Sequence, residues 1–184
     1  MPDPAAGLIS VVGGESTGKS TLAKALGGRL PAIVVPEYLR AWVEHHRGRL
    51  PQPDEQAAIM AAHRASEVSG MLEADRAGLA WLVSDSGPLM TAVYSIQYYD
   101  DASLLPEAVE STRHSAWVLW CQDDFPWQPD PQRDGSHARA TSQQLLAEIF
   151  AAHPELPMLE VRGAFDERVE AAMSAIRRGR SGSG

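Results

Sequence analysis

The sequence predicts an α/β layered domain, with a central parallel sheet of about five strands flanked by helices. Short apolar runs alternate along the chain with longer helical patterns. Those runs are apolar at consecutive positions and not at every second one, as expected of parallel strands buried on both faces. A length of 184 residues, 44% apolar and 22% charged, suits one domain with a real core.

The first strand is "LISVV" (8–12), and the helix "STLAKALGGRL" follows it. The second strand is "AIVV" (32–35), followed by "EYLRAWVEHHR", whose helical pattern fails at Gly48 and Pro51. Asp54 is a suitable N-cap for an Ala-rich helix reaching about Arg76, with Gly78 to end it. The third strand is "LAWLVSD" (79–85); Pro88 then opens a helix through "LMTAVYSIQYY", and "PEAVESTRH" forms the next. The fourth strand is "WVLWC" (117–121) and the fifth "MLEV" (158–161), with helices expected over about 140–152 and 164–178. Between the fourth strand and the helix at 140 lies "CQDDFPWQPDPQRDGSHAR", polar and interrupted by proline. The end, "RRGRSGSG", reads as a flexible tail over 179–184.

"GGESTGKS", Gly13 to Ser20, satisfies G-x-x-x-x-G-K-[ST], and it sits after an apolar strand and before a helix, as that motif requires. Its glycines let backbone N–H groups turn around a phosphate, and the helix N-terminus adds its positive dipole end. Gly13, Gly14, Glu15, Ser16, Thr17, Gly18, Lys19 and Ser20 are therefore expected on the phosphates of ATP. Lys19 reaches the β- and γ-phosphates, and Ser20 offers a hydroxyl to Mg²⁺.

Asp85 ends the third strand, where a Walker-B-type aspartate holds Mg²⁺. Glu37 follows the second strand, and the carboxyl ends of parallel strands face one crevice, so the two acids should converge there. Glu37 is placed to take a proton from an attacking hydroxyl; the alternative is a helix-terminal acid paired with Arg40. No N-K-x-D or D-x-x-G arrangement supports a GTPase, and a motor or AAA-type ATPase would need more chain. A small kinase that transfers a phosphoryl group to a bound acceptor remains.

Phosphoryl transfer spreads negative charge over the equatorial oxygens. Arg133 and Arg139, in the polar stretch, supply positive charge from a lid that closes and excludes water. Trp127 suits an aromatic and cationic acceptor ring, and Tyr94, Tyr98 and Tyr99 either line the same crevice or belong to the core. The six histidines show no H-x-x-x-H pair and are expected at the surface or at helix ends.

A formal charge of −8 argues against a nucleic-acid footprint. Cys121 is the only cysteine, so neither a disulfide nor a thiolate zinc site can form within the chain. With no signal-peptide pattern and no apolar run long enough to span a membrane, a cytoplasmic location is expected. Oligomeric state is not legible.

"GGESTGKSTLAKAL", "PEYLRAWVE", "SDSGPLMTAVYSIQYY" and "DFPWQPDPQRDGSHAR" together resemble the ribosylnicotinamide kinase domain of NadR-type proteins over about residues 8–152. The resemblance implies a P-loop kinase-like three-layer fold in one domain over 1–178, with an arginine-bearing lid at about 122–140. It implies phosphorylation of the 5′-hydroxyl of nicotinamide riboside by Mg-ATP to give nicotinamide mononucleotide. It adds Thr21 to the ATP site and puts Glu37, Asp85, Asp124 and Trp127 around the riboside, with Arg40 and Tyr94 in the same substrate pocket. The adenylyltransferase and repressor parts of the larger NadR proteins are not expected. Two departures stand out: the family's D-T-D reads Asp85-Ser86-Gly87, and Pro131 replaces a lid glycine. The first leaves room for a different nucleoside or hydroxylated metabolite as acceptor; a separate alternative is an ATP-binding regulatory module without turnover.

Overall fold

The computed structural model describes residues 6–124 and 136–181, so Trp127, Pro131 and Arg133 lie outside the described residues. In chain order the elements are β1 (Gly7–Val12), α1 (Lys19–Arg29), β2 (Ala32–Val35), α2 (Tyr38–His45), a 3-10 turn (Pro53–Glu55) and α3 (Gln56–Arg76). There follow β3 (Trp81–Asp85), α4 (Gly87–Tyr99), α5 (Leu105–Arg113), β4 (Trp117–Cys121), α6 (Ser136–Ala152), β5 (Met158–Val161) and α7 (Phe165–Ser181). The five strands form one sheet in the order β2-β3-β1-β4-β5, and every pairing is parallel.

Each strand offers alternate residues to two helical layers. Ile9, Val11, Trp81, Val83, Leu119, Cys121 and Val161 pack with Leu22 and Leu26 of α1 and with Val169, Met173 and Ile176 of α7. On the other face Val12, Val118 and Trp120 pack with Met60 of α3, the apolar side of α4, Val109 of α5 and Leu146 and Phe150 of α6. Burying a side chain of this size contributes about 1.5–3 kcal/mol, which is why four- to six-residue strands suffice.

Three boundaries differ from expectation, each for a local reason. Asp54 does not cap α3; Gln52 and Glu55 cap the preceding 3-10 turn reciprocally, with Gln52 N–H donating to Glu55 Oε2 at 2.7 Å. α6 starts at Ser136 and not near 140, so Arg139 belongs to a helix and not to a loop. α7 runs on to Ser181, past the start of the expected tail.

The topology places the site. The connection from β1 runs to β2 on one side, and the connection from β3 runs to β4 on the other. The carboxyl ends of β1 and β3 are therefore a switch point where a crevice opens. Val11 pairs with Asp85, which sets Asp85 just below the turn into the glycine-rich loop.

Candidate active site

The loop Gly13–Ser20 has the twisted backbone its glycines permit. Gly18 at φ 83° precedes α1 as its N-cap, without a side-chain cap bond, and Ser16 is also left-handed at φ 55°. Uncapped N–H groups at a helix start are a ready anion site. Lys19 is buried and donates from Nζ to the Gly14 carbonyl at 2.9 Å, which also accepts from Thr17 Oγ1 at 2.8 Å. The lysine is thus folded over the loop where a phosphate would sit. Thr21 is exposed on α1.

On the β2–β3 side, Asp85 is buried, and burial pushes its carboxyl up; a hydrogen bond with Ser20 opposes this, while the Glu37 charge adds to the rise. Lys19 and Arg40 pull in the other direction. Glu37 and Arg40 form an ion pair at 3.6 Å, the acid mostly enclosed and the arginine half-exposed. Tyr94 is buried among the same groups: burial first, then the charges of Glu37, Glu15 and Asp85, hold its hydroxyl well above the ordinary phenol range. The Tyr98 ring lies tilted beside it, with centroids 6.3 Å apart, and the Tyr98 hydroxyl donates to Glu15 Oε1 at 3.4 Å. Tyr99 leaves the crevice and donates to the Pro51 carbonyl. The charges of Glu15, Glu37 and Asp85 are therefore all felt at the buried Tyr94 hydroxyl.

Directly after Asp85 the backbone is forced: Ser86 has φ 75° and Gly87 φ 49°, and Ser86 N–H donates to the Val11 carbonyl at 2.9 Å. A non-glycine residue in this region costs about 1–3 kcal/mol and marks a site held in place by its surroundings. Below lies a polar layer that sequence reasoning missed. His63, buried on α3, approaches Ser84 Oγ at 2.8 Å through Nε2, and Ser84 donates to Glu67 Oε1 at 2.6 Å. The expectation of surface histidines is thus wrong for His63. His63 and Glu67 stand one helical turn apart on α3 (i,i+4), a spacing that was legible. A Cβ at Gly87 would lie 3.6 Å from Glu67 Oε1, so a buried carboxylate from α3 stands near the place of the family's second acid.

On the β4–β5 side the polar groups are engaged with backbone. Gln143 of α6 is buried; its Oε1 accepts from Gly14 N–H and from the Trp120 indole, both at 3.0 Å, while Nε2 donates to the Cys121 carbonyl at 3.0 Å. Arg139 is buried one turn earlier, donating to the Asp123 carbonyl at 3.0 Å. Its own carbonyl is 2.7 Å from where a Cβ on Gly14 would stand. Arg168 of α7 donates to the carbonyls of Thr17, Gln122 and Gly163, and to Asp124 Oδ1. Asp124 Oδ2 accepts from Gly163 N–H at 2.6 Å. Asp124, expected around the acceptor, is fastened to the β5–α7 corner, and Arg168, which sequence reasoning did not single out, joins that corner to the P-loop. A lone arginine on an amphipathic helix gives no signal of such a role.

Among the described residues no three His, Cys, Asp or Glu side chains form a metal cluster. Ser20 and Asp85 fit a different arrangement: two protein oxygens for a Mg²⁺ whose other ligands are phosphate and water, the usual situation for this ion.

This fold and cleft define a P-loop kinase-like nucleotide-binding domain. The chain belongs to the AAA domain family, whose model matches residues 8–168, so the expectation that an AAA-type domain would need more chain does not hold. No curated protein matches the sequence. In fold the chain is similar to the NadR protein in complex with NR, at 18% identity and TM-score 0.76, over 95% of this chain and 50% of that one. It is similar to NadR in complex with NAD and AMP-PNP at 17% and 0.72, over 92% and 49%. Thymidylate kinase from Ehrlichia chaffeensis is similar at 14% and 0.66, over 95% and 98%. The chain spans about half the length of the two NadR chains.

Proposed function

We propose that this chain is a cytoplasmic small-molecule kinase that transfers the γ-phosphoryl group of ATP to the 5′-hydroxyl of nicotinamide riboside, giving nicotinamide mononucleotide. The observation that carries the reading is a group of acids beside the P-loop next to aromatic rings: Glu15 accepts from Tyr98, Tyr98 lies against the buried Tyr94, and Glu37 and Asp85 are both largely enclosed. A pocket with that much negative charge attracts a cationic ring, which the pyridinium of nicotinamide riboside supplies, and an aromatic wall adds cation–π attraction of about 0.5–2 kcal/mol. The likeness in fold to NadR bound to NR supports the same acceptor.

In this reading Lys19 leaves the Gly14 carbonyl for the β- and γ-phosphates, while Ser20 and Asp85 hold Mg²⁺. The metal, when bound, neutralises charge on the phosphate oxygens. Glu37 takes the proton of the 5′-hydroxyl as its oxygen attacks phosphorus, the bond to the β-phosphate oxygen breaks, and ADP leaves. Arg139, and Arg133 from the lid, face the charge that develops. A second reading, a kinase for another nucleoside or hydroxylated metabolite, is favoured by Gly87 in place of an acid.

Coupled ADP release with nicotinamide riboside, its neutral reduced form, adenosine, deoxyadenosine, uridine and thymidine separates these. The expected order puts the cationic riboside first, at least about tenfold in kcat/KM over its reduced form, equivalent to about 1.4 kcal/mol. Equal turnover of both forms would refute the charge argument, and a better neutral nucleoside would establish the second reading. ATP binding without ADP release on any acceptor would identify a non-catalytic module.

A further inference from the structure

We propose that His63 is a positioning residue that fixes the spacing of Glu37 and Asp85, the two acids of the cleft; the proposal rests on the kinase reading above. The pairing of β2 with β3 ends at Val35 and Ser84. Pro36 follows and has no N–H to extend the ladder. Glu37, at the N-cap of α2, makes no side-chain cap bond, which leaves its carboxylate to the cleft and the first N–H groups of α2 without the usual partner. Tyr38 N–H instead donates across to His63 Nδ1 at 3.3 Å.

The tautomer follows from counting protons. An amide N–H can only donate, so Nδ1 is bare and Nε2 carries the proton. Ser84 has one hydroxyl proton, which goes to Glu67 at 2.6 Å. Ser84 Oγ therefore accepts from His63 Nε2–H at 2.8 Å. The relay runs one way, from Tyr38 through His63 and Ser84 to Glu67, and every member is satisfied. One rigid ring thus joins the residue after Glu37 to the residue before Asp85, where no backbone ladder does so. Displacement of about 1 Å in such a pair costs on the order of 10²-fold in rate.

Three variants divide the ring into its two arms. His63→Ala removes both; His63→Asn keeps an acceptor near the place of Nδ1; His63→Gln keeps a donor near the place of Nε2. With the acceptor found to turn over, His63→Ala is expected to lower kcat about 10–100-fold, with KM for ATP changed less than about twofold, because the P-loop is not touched. Tyr38 amide exchange, measured on the ligand-free protein, is expected to accelerate in His63→Ala and His63→Gln and to stay protected in His63→Asn. ¹⁵N shifts of the imidazole report the tautomer. A wild-type chain that phosphorylates no acceptor would overturn the kinase reading, and the proposal with it as a statement about catalysis. Unchanged Tyr38 exchange in a folded His63→Ala, or its unchanged kcat, overturns the proposal while leaving that reading intact. If His63→Ala does not fold, the Asn and Gln variants carry the test: equal kcat and equal Tyr38 exchange in both would overturn it.

Discussion

On the β2–β3 side of the P-loop a neutral imidazole holds the backbone and the carboxylates Glu37 and Asp85 face the cleft. On the β4–β5 side the cations Arg139 and Arg168 are engaged with carbonyls, and the acid Asp124 is paired with Arg168. Both sides must satisfy loop backbone beyond the ends of a parallel ladder. The first holds its backbone through the His63 ring, while Glu37 pairs with the half-exposed Arg40 at 3.6 Å. The second uses positive charge as structural cement around the phosphate loop, with Arg139 3.7 Å from Asp123 and Arg168 paired with Asp124. Arg139 apart, which in the proposed mechanism also faces the transferring phosphate, the difference separates residues whose loss should lower the rate from residues whose loss should lower ATP affinity and stability.

The sharpest break of this comparison is at the loop both sides share. Lys19→Ala is expected to lower kcat by about 10³-fold or more, by removing charge from the transferring phosphate; turnover within tenfold of the parent would remove the P-loop from the mechanism. Next, Glu37→Gln is expected to lower kcat about 10²–10⁴-fold with ATP affinity kept. If kcat survives in steady-state assays, Asp85 is the base. On the opposite side, Gln143→Leu strands Gly14 N–H, the Trp120 indole N–H and the Cys121 carbonyl. Calorimetry is expected to show a loss of about 1–3 kcal/mol in unfolding free energy, with a rise in KM for ATP larger than any fall in kcat; the reverse pattern would place Gln143 with the chemistry.

The smallest effect is expected at the rim, where Arg49 holds Glu55 in a two-pronged ion pair at 2.7 and 2.8 Å and depresses its carboxyl to about 2. A depressed carboxyl stabilises the fold above its ordinary value and ceases to as pH falls through the folded value. Arg49→Ala should therefore melt slightly below the parent at pH 7, and the difference should vanish between about pH 4.5 and 2; a difference that persists at pH 2 would show that the arginine acts by packing, since it also lies over Trp42 at 4.7 Å.

Much of this architecture was legible because it is local or periodic. The P-loop announces itself in eight contiguous residues, and the five apolar runs became the five strands. The convergence of Glu37 with Asp85 followed from parallel topology alone. The polar layer was harder to read. Ser10 and Ser84 break two apolar strands at paired positions, yet nothing in either strand tells that α3 brings His63 and Glu67 to Ser84 while Ser10 bonds to Ser115. Asp124 was assigned to an acceptor because its motif neighbours pointed there, whereas its partner Arg168 lies 44 residues away. Such long-range pairings depend on how helices seat on the sheet, which spacing does not encode. Trp127 and Arg133 fall outside the described residues, so their assignments rest on the sequence.

The close approach of α6 to Gly14 has an evolutionary consequence. In G-x-x-x-x-G-K-[ST], position 14 is formally free, and a motif search treats it as such. Here a side chain at 14 would meet the Arg139 carbonyl at 2.7 Å, so the freedom belongs to the pattern and not to this chain. Lineages that replace Gly14 must re-seat the helix that carries Arg139 and Gln143. Substitutions at these three positions should therefore appear together in related sequences, as a haplotype of the loop and its neighbouring helix.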